Sequence, residues 1–323
     1  MVSVSVYSIC VRTYVLVGNY GAGNLGDEAL REYFLHAYPE MQWKVVSAHP
    51  SQGELARLPA GFRSIFAPWW RTLAALRSAQ GMVFGGGTLF TDIESVHACF
   101  LWWVHAFATR LFRKPVILAF QGVGPFRTRT GEWLALWVCR HAAFISVRDE
   151  ASRMRLESWK LNKNIIQTFD PVILSLQSAQ SSESAQNVFV IIPRNTADAS
   201  FLDRAAEVTK IRSPHDIVVL SLKPDDRGER EWVRRVVSVL GGRARAVVAR
   251  SLQDVIREVS RASFVLSQRY HGALIARALS REVEAVPQGS GDKLETLPSV
   301  AEMPSCISLA REGEARLRAI LLR

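Results

Sequence analysis

Tyr14-Val15-Leu16-Val17 runs directly into Gly18-Asn19-Tyr20-Gly21-Ala22-Gly23-Asn24-Leu25-Gly26-Asp27-Glu28. An apolar, β-branched run breaks into glycines and then opens a segment of helical period. Strand, Gly-rich turn and helix in that order form the first unit of a parallel sheet covered by helices. Glycine has no Cβ, so the backbone amides at such a helix start can come close to an anion. The alternative is that Gly21 and Gly26 only shape a tight turn and Asp27 caps the helix.

The same alternation continues outward. Strands are expected at Tyr14–Val17, Trp43–Ser47, Gly81–Phe84, Val116–Phe120 and Phe144–Val147, with helices at Asp27–Tyr38, Val96–Phe112, Glu132–Ala142 and Ala151–Trp159. Two more of these strands end in glycine: Phe84-Gly85-Gly86-Gly87-Thr88, and Phe120-Gln121-Gly122-Val123-Gly124-Pro125. Ligands of open α/β sheets bind at the carboxyl ends of the strands, so these three loops are expected to line one crevice.

The stretch Gln177–Asn187, QSAQSSESAQN, is polar like a solvated linker, and the strand–helix alternation restarts after it. Strands are expected at Val188–Ile192, Ile217–Ser221, Ala244–Val248, Phe264–Ser267 and Glu282–Val286, and a last helix at Ala310–Leu322. The chain therefore divides into residues 1–176, a linker at 177–187, and residues 188–323. The fold class is α/β, with two doubly wound, Rossmann-like domains facing across a cleft, the default place for an active site. In the second domain, Arg194 follows the first strand, and Gln268-Arg269-Tyr270-His271-Gly272 follows the fourth. Two arginines and a histidine converging on one cleft suit an anionic substrate.

Composition bounds the class. The 323 residues carry 40 Lys and Arg against 30 Asp and Glu, a net charge of +10, with 48% hydrophobic and 22% charged residues. Disorder is excluded, and an anionic partner is implied. Nucleic acid is disfavoured, because the excess charge is spread and no helix-turn-helix or aromatic RNA-binding strand is present. Cys10, Cys99, Cys139 and Cys306 stand singly, with neither a disulfide framework nor metal-ligand spacing, so no metal and a cytoplasmic setting are expected. Met1–Cys10 lacks the basic start and apolar run of a secretory signal and reads as an extension or extra strand. The apolar run Ser95–Thr109 is shorter than the roughly 20 residues needed to cross a bilayer.

Taken in order, GNYGAGNLGDEAL, VFGGGTLFTD, AFQGVGP, SVRDEAS, FDPVILSL, IIPR, SQRYHGALIA and GDK resemble the polysaccharide pyruvyl transferase family, from about Val15 to Leu297. Within it the similarity is greatest to the branch acting on cell-wall-linked polymers. The resemblance implies two domains arranged as in B-type glycosyltransferases. It also implies transfer of a pyruvyl group from phosphoenolpyruvate to a sugar of a cell-surface polysaccharide or its lipid-linked precursor, as a cyclic ketal, with no cofactor. By position, Arg194 matches the family's arginine after the first strand of the second half, and Arg269 and His271 match its R-x-H motif. The chain departs from the family in lacking an aromatic residue after Arg194 and in reading Ser280-Arg281-Glu282 where a Gly and then a Pro are usual.

That chemistry needs a general acid, a base and cationic clamps. Arg194, Arg269 and Lys293 are assigned to the anions of the donor, and His271 to proton transfer or phosphate contact. Asp27 and Asp92 are candidates to orient or deprotonate the acceptor, or else serve as caps and loop anchors. Arg148-Asp149 reads as a structural pair at the sheet edge. Trp69, Trp70, Trp102, Trp103, Trp133 and Trp137, interleaved with Arg71, Arg110, Arg113 and Lys114, pack a core or form a face for peripheral docking at the inner side of a plasma membrane. A B-type glycosyltransferase with a nucleotide-sugar donor is the competing reading. It needs an acidic residue for a ribose, and Glu282 and Glu284 lie in an expected strand.

Overall fold

The computed structural model describes residues 12–61, 66–93, 95–176, 186–223, 225–289 and 292–323. The extension Met1–Cys10 and most of the expected linker, residues 177–185, lie outside the described residues. The first half contains β1 (Arg12–Val17), α1 (Leu25–Ala37), β2 (Met41–Ser47), β3 (Leu55–Ala56), α2 (Trp70–Ser78), β4 (Gly81–Phe90) and α3 (Val96–Leu111). It continues with β5 (Val116–Val123), α4 (Arg129–His141), β6 (Phe144–Val147), α5 (Glu150–Ser158), β7 (Ile165–Gln167) and α6 (Val172–Ser175). The second half contains β8 (Val188–Ile192), α7 (Ala199–Arg212), β9 (Asp216–Ser221), α8 (Arg227–Leu240), β10 (Ala244–Val248), α9 (Leu252–Ser260), β11 (Ala262–Ser267), α10 (Tyr270–Ala278), β12 (Glu282–Ala285) and α11 (Met303–Leu321).

Each half makes one parallel sheet. The strand orders are β3-β2-β1-β4-β5-β6-β7 and β10-β9-β8-β11-β12. In both, the chain starts in the middle, winds outward one way and then reverses, which creates a switch point between β1 and β4 and another between β8 and β11. The strands read as near-continuous apolar runs because helices cover both faces: β1 buries Tyr14, Val15, Leu16 and Val17, and all five residues of β8 are buried.

One buried cluster, with Leu16, Phe34 and Phe120 at one end and Val190, Ile192 and Leu220 at the other, is shared between the sheets. The backbone N–H of Leu25, at the start of α1, donates to the Leu222 carbonyl beyond β9 (3.2 Å), so the two halves also meet by hydrogen bond.

Three expectations change. β4 does not stop at Phe84 but runs through Gly85, Gly86 and Gly87 to Phe90, with a register shift against β5 after Gly87. The triple glycine is therefore a bulged strand rather than a loop. A Cβ at Gly85 would overlap the Tyr20 hydroxyl, which donates to the Gly85 carbonyl (2.8 Å), and one at Gly86 would stand 2.9 Å from Leu30. Close packing of the protein's own side chains explains Gly85, and at Gly86 a backbone φ of 81° adds to it.

β5 likewise extends through Gln121 and Gly122, and Gln121 is buried with its amide donating to the Phe84 carbonyl (3.0 Å), so it braces the sheet instead of lining a loop. Finally, α11 leaves the second half and returns to the first. Its Leu321 carbonyl accepts from Tyr14 (3.1 Å), its Glu314 from Tyr33 (2.8 Å), and its Arg318 reaches Glu40 (2.5 Å). Chain order alone placed this helix with residues 188–323.

Leu317 is fully buried where α11 meets the first half. Leu317→Ala is expected to lower the stability of the whole chain by about 2–5 kcal/mol, measured by urea denaturation.

Candidate functional site

Both switch points face the space between the sheets. From the first come the Gly18–Asn24 turn and the start of α1. From the second come Arg194, just past β8, and Gln268-Arg269, just past β11. The two second-half segments are tied together: the Gln268 N–H donates to Ile192 O (2.9 Å), and the Arg194 N–H donates to the Gln268 side chain (3.2 Å).

His271 is the second residue of α10, so the turn after β11 delivers it into the cleft. Its ring lies on the first turn of α1, where a Cβ at Gly26 would overlap Nδ1. Gly26 is thus required for close approach across the cleft. The other ring nitrogen, Nε2, stands 3.4 Å from Asp170 Oδ2. Asp170 is fully buried beyond β7, where its second oxygen accepts from the Val172 N–H (3.2 Å) and Oδ2 takes an ion pair from Arg148 (2.7 Å). Arg148, itself buried just past β6, also donates to Thr88 (2.7 Å) and lies over the Tyr270 ring at 5.3 Å. Burial alone would raise the Asp170 carboxyl, but His271 and Arg148 outweigh it and hold the carboxyl well below its ordinary range. The buried carboxylate thus faces one imidazole nitrogen and fixes the orientation of the ring in the cleft.

Lys293 stands in the same cleft. Protein crowds it and, with Arg148 and Arg194 nearby, lowers its pKa to about 8, while Asp27 and Asp170 pull it upward. Its side chain is exposed to cleft water, which screens these charges, so the downward direction is what the geometry supports. Among the described residues no carboxylate pairs directly with it.

On the opposite wall, Asn19 (2.9 Å) and Asn24 (2.8 Å) both donate to Asp27 Oδ2, which leaves Oδ1 towards Gly87. Asp27 is not the cap of α1; Asn24 is, through its side-chain oxygen and the Gly26 N–H (3.3 Å).

The structure brings Asp27, Arg194, His271 and Lys293 together around one cleft, with Gly26 as the surface under the imidazole. It gives Arg269 another partner: the guanidinium pairs with Glu229, which is buried and accepts from Ser221, Leu222 and Lys223. Arg269 therefore clamps the turn after β11 to the loop after β9. Gly21 packs over Ser47, and Gly124 over Arg155. Asp92 accepts from the Arg127 and Thr128 amides and anchors the loop before α4.

Sequence reasoning gave Arg148 only a structural pairing with Asp149 and did not single out Asp170, which the structure sets behind His271. Arg148 reaches its neighbour Asp149 only at 3.8 Å, and its close partner comes from the next strand end. Both follow strands, and that position was the available signal. Glu282 and Glu284, in β12, are paired with Arg212 and Arg204. Among the described residues no group of three or more His, Cys, Asp or Glu could hold a metal ion, and no helix is long and apolar enough to cross a membrane.

The polysaccharide pyruvyl transferase family model matches residues 24–283. No curated protein matches the chain. Among solved structures, Anabaena HepE in complex with UDP and glucose aligns with a TM-score of 0.56 at 13% identity, over 96% of this chain and 94% of that one. UDP-GlcNAc 2-epimerase from Methanocaldococcus jannaschii aligns with a TM-score of 0.60 at 9% identity, over 97% and 100%. The Neisseria meningitidis UDP-GlcNAc 2-epimerase bound to UDP-GlcNAc gives 0.54 at 12%, over 94% and 93%. At such identities the likeness establishes the fold: two Rossmann-like domains, as in B-type glycosyltransferases.

Asp170→Asn leaves Arg148 buried without its counter-charge, at an expected cost of about 3–5 kcal/mol at neutral pH. Because folding depresses the Asp170 pKa, its contribution is complete above an unfolded value of about 3.9 and is lost as the pH falls from there through the folded value. Urea midpoints of wild type and variant are thus expected to converge only in acid; a gap unchanged across that window contradicts the pairing.

Proposed function

We propose a reaction for this protein, which belongs to the polysaccharide pyruvyl transferase family: transfer of a pyruvyl group from phosphoenolpyruvate to two hydroxyls of one sugar. The sugar belongs to a cell-surface polysaccharide or its lipid-linked precursor, and the products are a cyclic ketal and inorganic phosphate. The observation that carries this reading is His271, backed by buried, ionised Asp170, in a cleft that also holds the cations Lys293 and Arg194.

Lys293 and Arg194 supply the positive charge for the phosphate and carboxylate of the donor. The His271 imidazolium gives a proton to C3 of the enol phosphate, which makes the methyl group and leaves positive charge at C2. One sugar hydroxyl forms a bond to C2. The second does so as the bond from C2 to the phosphate oxygen breaks. Of the two protons the hydroxyls lose, one restores the imidazolium and the other leaves with phosphate. Asp27, with Oδ1 not engaged by Asn19 or Asn24, is placed to accept a hydrogen bond from an acceptor hydroxyl.

The test is phosphate release from phosphoenolpyruvate across a panel of sugar acceptors. Wild type is expected to release phosphate only with a suitable acceptor and to give a pyruvylated product. His271→Ala is expected to lower turnover about 10²–10⁴-fold. Gly26→Ala, which pushes the imidazole out of place, is expected to lower it about 10²-fold with the fold intact by circular dichroism. Turnover of His271→Ala within a few-fold of wild type contradicts the assignment, and turnover of a nucleotide sugar with no response to phosphoenolpyruvate replaces the reading.

A further inference from the structure

Helices α2, α3 and α4 form a layer over the outer face of the first sheet, packed on a core that includes Trp102 and Val138. Trp102 is buried there, as a core residue. Of the neighbouring aromatics, Trp103 and Trp137 are half-buried against that core, and Phe100 and Phe107 are exposed. Phe100 stacks on Trp103 (5.8 Å between ring centres) and Trp103 on Phe107 (5.1 Å). Trp137 meets Trp103 edge-on (5.7 Å), and His141 stacks on Trp137 (4.1 Å). This ladder joins α3 to α4, and around it Phe107 is 45%, Trp133 55% and Leu111 69% exposed, with Trp70 on α2 at 59%.

Positive charge predominates on this layer. From Leu58 to His141, the end of α4, the sequence contains nine Lys and Arg against three acidic residues, Asp92, Glu94 and Glu132, the last of which accepts from Trp159 Nε1 (3.0 Å). Asp92 is buried beneath α4. Arg71, Arg77, Arg110, Arg113, Lys114 and Arg140 pair with no described carboxylate.

Exposed apolar side chains in such number on adjacent helices mark an interaction surface. Aromatic rings framed by unpaired Arg and Lys, with Glu132 the one carboxylate on the three helices, complement a surface that is negative at its head groups and apolar just beneath. We propose that the α3–α4 aromatic face docks this protein peripherally on an anionic lipid bilayer. α3 begins just beyond the carboxyl end of β4, so this face starts on the cleft side of the first sheet. The inference does not depend on the reaction proposed above.

The test is sedimentation of the full chain with vesicles of phosphatidylglycerol and phosphatidylcholine, against vesicles of phosphatidylcholine alone. Two variants accompany it: Phe107→Ser with Leu111→Ser and Trp133→Ser, and Arg110→Glu with Arg113→Glu and Lys114→Glu. Wild type is expected to bind the anionic vesicles, at least about tenfold more weakly in high salt or on the neutral vesicles. Each variant is expected to lose at least about tenfold in affinity. The charge variant alters only polar surface positions and so tests the proposal even where the apolar variant folds poorly. Wild type that fails to bind anionic vesicles, or a charge variant that binds as wild type does, overturns the proposal. So does a wild-type dimer in solution that the apolar variant dissociates, because the face then belongs to a second copy of the chain.

Discussion

The site rests on a carboxylate that is fully buried and still ionised. Asp170 lies beyond the edge strand of one sheet and meets Arg148 from the neighbouring strand of that sheet and His271 from the other. A lone buried carboxylate would take up a proton. Here Arg148 and His271 hold it charged, and they come from both halves of the molecule. The contact between the halves and the charge on the buried carboxylate are therefore one physical fact. Pairs of this kind are weak as sources of stability but costly to break, so they fix geometry more than they add free energy.

Several other features follow from bringing His271 to that place. Gly26 must lack a side chain for the ring to rest on α1. Arg269, two residues before His271, is committed to Glu229 and sets the course of the chain into α10. The cleft then carries positive charge at Lys293 and Arg194 against the fixed negative charge of Asp27 and Asp170. The proposed reaction sets its anionic donor beside the cations and its sugar beside Asp27.

The two-domain α/β fold was legible because each central strand is an apolar run followed by turn residues and a helical period. The edges of the first sheet were not: β3 has two residues and β7 three, with no β7 residue fully buried, so neither leaves a run in the sequence. That is why Asp170, just beyond β7, escaped notice while His271, beyond fully formed β11, did not. The glycines of β4 misled for a related reason. Three in a row signal close approach, but composition cannot say what approaches, and at Gly85 and Gly86 the neighbours are Tyr20 and Leu30 of the same sheet layer. Arg148 next to Asp149 looked self-contained in sequence; only the fold shows that its close partner lies 22 residues further on.

The most direct measurement is the structure of this protein with phosphoenolpyruvate bound and no acceptor present. The account predicts the ligand in the inter-sheet cleft, its anionic groups on Lys293 and Arg194, and its methylene carbon or phosphate facing His271. Phosphoenolpyruvate bound elsewhere, or turned with neither group near His271, would contradict it.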